Sequence, residues 1–157
     1  MKDAAESSLT VSHLRKHLGF WLRFVSNHVS HTFAGKLQAS GVTVAEWVVL
    51  REMFDDEETS PGVIAERIGM TRGGVSKLVD RLVGKKLVTR AGRTDDRRFQ
   101  SIALTAAGRR LVPRLAKLAD QNDEQFFHPL SAREHAALLG LMKKLVQAHG
   151  LETLPVE

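Results

Sequence analysis

The chain has 157 residues, 43% of them hydrophobic and 26% charged, with no cysteine and a formal net charge of +5, a length that suits one domain or one compact two-lobed unit. Disulfides, thiolate zinc sites and thiol redox switches are excluded, no apolar run approaches the roughly 20 residues of a membrane helix, and the polar start MKDAAESS has no secretory h-region, so a soluble cytoplasmic protein without a membrane partner is expected. The charge is unevenly placed: residues 61–110 hold 12 Lys/Arg against 4 Asp/Glu, the footprint of a face that meets a polyanion.

From Leu9 to about Leu37, the residues Leu14, Leu18, Trp21, Leu22, Val25, Val29 and Phe33 recur at three- and four-residue steps. They predict one amphipathic helix of roughly 25 residues or more, ended by Ser40-Gly41. Thr43, with Glu46 three residues on, forms a capping box for a second helix through VAEWVVLREMF. After the acidic turn DDEETS, Pro61 suits the first position of a short third helix, and a fourth runs from Thr71 to about Lys85. Strands at Leu87–Arg90 and Phe99–Leu104 flank an arginine-rich loop. Thr105 then caps a long fifth helix, in which Pro113 should produce a kink or mark a weak start because it lacks a backbone donor. A second capping box, Ser131 with Glu134, opens a last helix that carries Leu138, Leu141, Met142, Leu145 and Val146 to a stop at Gly150, and the tail LETLPVE is expected to fray.

Within residues 61–80 the spacing is that of a helix-turn-helix. Ala65 permits close helix approach, Gly69 supplies a left-handed turn, and Val75 inserts between the helices, with Ile64, Ile68, Met70, Leu78 and Val79 filling the shared core. The outer face of the fourth helix then carries Gly73, Lys77, Asp80 and Gly84, flanked by Ser76 and Arg81, with Thr71 and Arg72 at its start. Gly73 and Gly74 in a first helical turn cost roughly 1 kcal/mol each against alanine, which close approach to a duplex would explain. Arg72 and Lys77 suit either guanine edges or phosphates. Arg93, Asp96, Arg97 and Arg98 in the following loop suit a phosphate backbone or a narrow groove. The expected DNA-binding set is therefore Thr71, Arg72, Gly73, Ser76, Lys77, Arg81, Arg93, Asp96, Arg97 and Arg98. A winged-helix module that binds only proteins is the alternative, and duplex affinity that falls steeply with salt separates the two.

Other chemistry finds less support. His13 and His17, and His28 and His31, have chelating spacings, but neither pair has a third and fourth ligand nearby, so no metal is assigned. No nucleophile elbow, phosphate-binding glycine loop or HExxH is present, so neither an enzyme nor a cofactor is expected. Trp21, Phe24 and Trp47 are candidates to line a pocket where two lobes meet, or else are core aromatics. The first and last helices carry apolar stripes too long for a module of about 50 residues to cover, and a partner subunit is the natural cover.

The segments TVAEWVVL, PGVIAERIGMTRGGVSKLVDRLVGKKLVTR and TDDRRFQSIALTAAGRRL resemble the MarR (multiple antibiotic resistance regulator) family over roughly residues 10–148. Asp96-x-Arg98, followed after five intervening residues by Leu104-Thr105, is the most specific part of the match. The resemblance implies a mainly α fold with a small β-wing. In a single MarR-like domain spanning 1–157, residues 43–105 would form a winged helix-turn-helix lobe and 9–40 and 106–149 the dimerisation helices. It further implies a homodimeric repressor of a pseudo-palindromic operator, released by a small aromatic or phenolic effector, with Arg98 entering the minor groove and Asp96 orienting it. The chain departs from the family where a glycine often follows the recognition helix: here Gly84 comes earlier and Lys85-Lys86-Leu87 follow. Either the helix ends a turn early or Lys86 takes a left-handed conformation.

Overall fold

The computed structural model describes residues 11–91 and 100–152. A 3-10 turn at Leu14–Lys16 leads to α1 (Leu18–Leu37), α2 (Val44–Met53), α3 (Pro61–Ile68) and α4 (Arg72–Gly84), then to β1 (Val88–Ala91) and β2 (Ser101–Leu104), and finally to α5 (Ala106–Phe127) and α6 (Ala132–Ala148). The fold is thus mainly helical with a two-stranded antiparallel wing, in register from Val88↔Leu104 to Ala91↔Ser101. Its core joins Leu37 of α1, Leu50 and Met53 of α2, Ile64 of α3, Val75, Val79 and Leu82 of α4, Val88 and Ile102 of the wing, and Leu115 of α5, none more than 2% exposed.

Local side-chain chemistry opens the helices where the caps predict. Thr43 accepts from the Glu46 amide at 3.2 Å while Glu46 Oε2 accepts from the Thr43 amide at 2.9 Å. Ser60 and Thr71 accept from Val63 and Gly74, with Pro61 in the first turn of α3, and Ser131 and Glu134 form the second box. Gly69, at φ +67°, closes α3, and the Met70 amide donates to the Ala65 carbonyl at 3.0 Å.

Two boundaries differ from the sequence expectation, and two further points are settled by the structure. α1 begins at Leu18 rather than near Leu9, because His17 is extended and the Trp21 indole Nε1 donates to the Arg15 carbonyl at 2.9 Å, holding the preceding turn apart from the helix. His13 and His17 consequently do not share a helix face. Of the two outcomes left open after α4, the second holds: the helix runs to Gly84 and Lys86 takes φ +60°. β1 starts one residue late, at Val88, because the Leu87 amide donates back to the Leu82 carbonyl of α4 at 3.0 Å rather than across to the opposite strand. The helix α5 runs through Pro113 without a break in its span. A further feature was not foreseen: Thr59 bridges to Ile102 through backbone bonds of 3.0 and 2.8 Å, adding the turn before α3 to the edge of the wing.

Two junctions set the lobe's geometry. The Leu87 carbonyl accepts from the Thr105 amide at 3.0 Å, the Thr105 hydroxyl donates to the Lys86 carbonyl at 2.9 Å, and a Cβ at Gly108 would collide with the Leu87 carbonyl oxygen. Lys85 Nζ donates to the buried Glu46 Oε2 and to the Gly41 carbonyl, both at 2.6 Å, tying the end of α4 to the α1–α2 corner. Burial would raise the Glu46 carboxyl, but the bonds from Lys85 and the Thr43 amide, with the charges of Lys85 and Arg81, outweigh it and hold the group below the usual glutamate range.

Gly108→Ala, which sets a side chain against backbone, should destabilise the protein by roughly 1–3 kcal/mol and lower its melting temperature by several degrees. An unchanged thermal transition would contradict the close approach. Because the folded Glu46 is more acidic than the unfolded one, its contribution is complete above the ordinary glutamate value of 4.5 and is lost as pH falls through the lower folded value. Glu46→Gln should therefore be less stable at pH 7 by about 1–3 kcal/mol. Its stability should also fall less steeply than the parent's below about pH 4.5 when both are unfolded by urea.

Candidate nucleic-acid interface

The buried stripe of α4 is Val75, Leu78, Val79 and Leu82, which turns Thr71, Arg72, Gly73, Lys77 and Arg81 to the outside and leaves Ser76 half-buried. The two adjacent glycines separate in role. A Cβ at Gly74 would lie 3.0 Å from the Thr71 hydroxyl that caps the helix, whereas a Cβ at Gly73 would meet nothing within 4 Å. No contact among the described residues requires glycine at 73.

Beside this face a cleft of about 790 Å³ opens between the start of α3, α4 and the base of the wing, lined by Ser60, Gly62, Arg72, Ser76, Arg90 and Gln100 among others. Arg72 lies back toward α3, its Nε near Gly62 and its Nη2 3.4 Å from the Glu66 carboxylate, an exposed and weak pair. Arg90 is held more closely. Its guanidinium is 2.6 Å from Asp80 Oδ1 and donates to Gln100 Oε1 at 2.8 Å and to the Ser76 carbonyl at 3.4 Å. Lys77 has no ion-pair partner among the described residues. Arg81 is exposed yet near enough to Glu46 to help hold that carboxyl ionised.

The structure brings Thr71, Arg72, Gly73, Ser76, Lys77 and Arg81 onto one helix, while Arg93, Asp96, Arg97 and Arg98 lie outside the described residues. Arg90 and Gln100 were not among the expected site residues. The signal for them in the sequence was an arginine just ahead of the loop and an acid, Asp80, on an otherwise cationic helix face.

The aromatic trio does not assemble. Trp21 and Phe24 pack edge to face with centroids 6.2 Å apart, but Trp47 is buried against Phe33 at 6.3 Å. Phe33 lies twelve residues beyond Trp21 on α1, roughly 18 Å along the axis, so Trp47 belongs to the core of the other lobe. Trp21 instead lines an apolar cleft of about 520 Å³ with Leu18, Leu22 and Val25 of α1, Phe127 of α5, and Leu138 and Met142 of α6. Among the described residues no cluster of three or more His, Asp or Glu could hold a metal ion, and no helix is long and apolar enough to cross a membrane.

A sequence profile of the MarR family matches residues 40–98. A protein of Thauera aromatica assigned to transcriptional regulation of the hcr operon is 28% identical over 129 residues, 82% of this chain and 78% of its own length. BpsR of Bordetella bronchiseptica, whose DNA binding is regulated by 6-hydroxynicotinic acid, is 26% identical with a TM-score of 0.78, covering 87% of this chain and 98% of that one. A point mutant of MarR from E. coli, complexed with operator DNA, shares the fold, with 24% identity, a TM-score of 0.77, and coverage of 86% of this chain and 99% of the other.

The geometry at Gly73 gives a prediction with two opposite signs. Gly73→Ala should raise stability by up to about 1 kcal/mol, since the position is helical and sterically open. If a duplex backbone approaches there, the same change should weaken duplex binding. Equal or tighter binding by the alanine variant would remove Gly73 from the interface.

Proposed function

We propose, from the premise that this chain belongs to the MarR family of DNA-binding transcriptional regulators and is not an enzyme, that it works as a homodimeric cytoplasmic repressor. The single observation that carries the DNA reading is α4: its buried stripe is fully used by the core, and its outer face holds Arg72, Gly73, Lys77 and Arg81, with a glycine that no packing among the described residues explains. This face suits the major groove, Arg72 or Lys77 reading base edges or phosphates and Thr71 and Ser76 adding hydroxyl donors. By the family resemblance, the loop with Arg93, Asp96, Arg97 and Arg98 serves the adjacent minor groove, Arg98 entering and Asp96 orienting it. A winged-helix module that binds only proteins is not favoured, as such a module has no use for that face.

Dimerisation through residues 9–40 and 106–149 is supported by the apolar surface these helices leave uncovered. No residue of α6 is buried, and Leu141, Met142 and Leu145 are exposed, as are Leu18, Trp21 and Leu22 of α1. A second subunit covering this surface would place two recognition helices on one side of the molecule. Release by a small aromatic or phenolic effector follows the family and is consistent with the ligand of BpsR, an aromatic acid. Trp21 and Phe24 are the effector candidates on α1, and Trp47 could take part only by acting from the DNA-binding lobe.

The test begins with duplexes selected from random sequence. Affinity should fall by roughly 10³-fold between about 50 and 200 mM salt if many phosphates are contacted. The selected site should be a pseudo-palindrome with half-site centres about 10–10.5 base pairs apart, and inserting about five base pairs should abolish tight binding. Deleting residues from Ser131 onward should remove dimer and tight binding together. A monomer at micromolar concentration, or full affinity for the spaced site, would overturn the assembly.

A further inference from the structure

Asp80 is an anomaly on the proposed DNA face. It is a carboxylate, 66% exposed, on the outer side of α4 where phosphates would repel it. Its partner Arg90 is the less exposed of the two, at 29%, and sits on β1, close to its end at Ala91. The guanidinium meets three acceptors on two segments: the Asp80 carboxylate and the Ser76 carbonyl on α4, and Gln100 Oε1 just ahead of β2. The planar fork of arginine can meet acceptors in several directions, which a lysine ammonium on a flexible stem does not reproduce.

Resting on the DNA-binding reading above, we infer that the Asp80–Arg90 pair is a clamp that sets the angle between the recognition helix and the wing, so that both can engage one operator half-site. Arg90 and Asp80 are positioning residues. They act on specific binding by holding Lys77 and its neighbours in fixed relation to β1 and the start of β2. Random duplex, held mainly by its phosphates, needs no such fixed relation.

The clamp and simple electrostatics predict opposite signs. Asp80→Asn is nearly isosteric and removes a negative charge from the DNA face. If Asp80 only repels phosphate, the variant binds every duplex more tightly. If it is half of a clamp, the variant loses about 5- to 30-fold in affinity for the selected operator while affinity for random duplex stays the same or rises. Arg90→Lys keeps the positive charge but not the fork. It should show the same selective loss with an unchanged salt slope, whereas a residue that merely contacts phosphate would tolerate the exchange.

Both variants are measured against the parent operator and a random duplex, with thermal unfolding as the check on the fold. Tighter or unchanged operator binding by Asp80→Asn, or parental operator binding by Arg90→Lys, overturns the clamp while leaving the DNA-binding reading standing. A parent protein that binds no duplex at all overturns both.

Discussion

The arrangement of the molecule depends on one backbone junction, where the first turn of α5 rests on the carbonyl of Leu87. Three features have to coincide there. Lys86 adopts φ +60°, which turns the chain out of α4 and aims the Leu87 carbonyl at the incoming strand. Thr105, at the end of β2, donates its amide to that carbonyl and its hydroxyl to the carbonyl of Lys86. Gly108 then lets the helix sit against the same oxygen without a side chain between them. The residues just before β1 are therefore tied to the cap of α5 by one main-chain and one side-chain hydrogen bond, β2 runs directly into that cap, and α4 is joined to the wing by the turn at Lys86. A left-handed non-glycine residue costs on the order of 1 kcal/mol or more, and it persists here because the bonds on either side determine it.

Charge within the basic segment is partly committed before any ligand arrives. Arg67 is 2.6 Å from Asp56, Lys85 holds Glu46, Arg90 holds Asp80, and Arg109 donates to the carbonyls of Phe54 and Asp56 at the end of α2. These cations stabilise and orient the lobe, so the local excess counted along the sequence overstates what faces a polyanion. Lys77, exposed and without an ion-pair partner among the described residues, differs from them in being available.

The helix starts were legible because each rests on a contact within four residues: Thr43 with Glu46, Thr71 with Gly74, Ser131 with Glu134. The apolar stripe of α4 was equally legible, since its period follows from helix geometry alone. What escaped prediction depends on partners distant in sequence. The start of α1 turns on an indole reaching back to Arg15, the extra bridge pairs Thr59 with Ile102, and Trp47 is claimed by Phe33 rather than by Trp21. Arg90 escaped for the same reason, as its partners lie ten and fourteen residues away and no short-range pattern links them. The wing arginines rest on the resemblance, because they fall among residues 92–99.

α1 and α5 are held together by a buried polar lock: Asn122, 5% exposed, donates to the Val29 carbonyl at 3.3 Å and accepts from the Thr32 hydroxyl at 3.0 Å, with Lys36 Nζ donating to Gln125 Oε1 at 2.7 Å nearby. Sliding α1 along α5 would leave the Asn122 amide buried and unpaired, at about 1–3 kcal/mol. That equals the whole coupling of about 1–3 kcal/mol by which an effector typically changes affinity at a second site. A ligand acting by shear within the chain would therefore spend its differential binding energy on breaking the lock. Rotation of one intact subunit against another across the uncovered faces of α1 and α6 breaks no such bond. In the proposed dimer the lower-cost route changes the separation of the two α4 helices, while the junction at Leu87 carries each DNA-binding lobe along with its α5 as one piece.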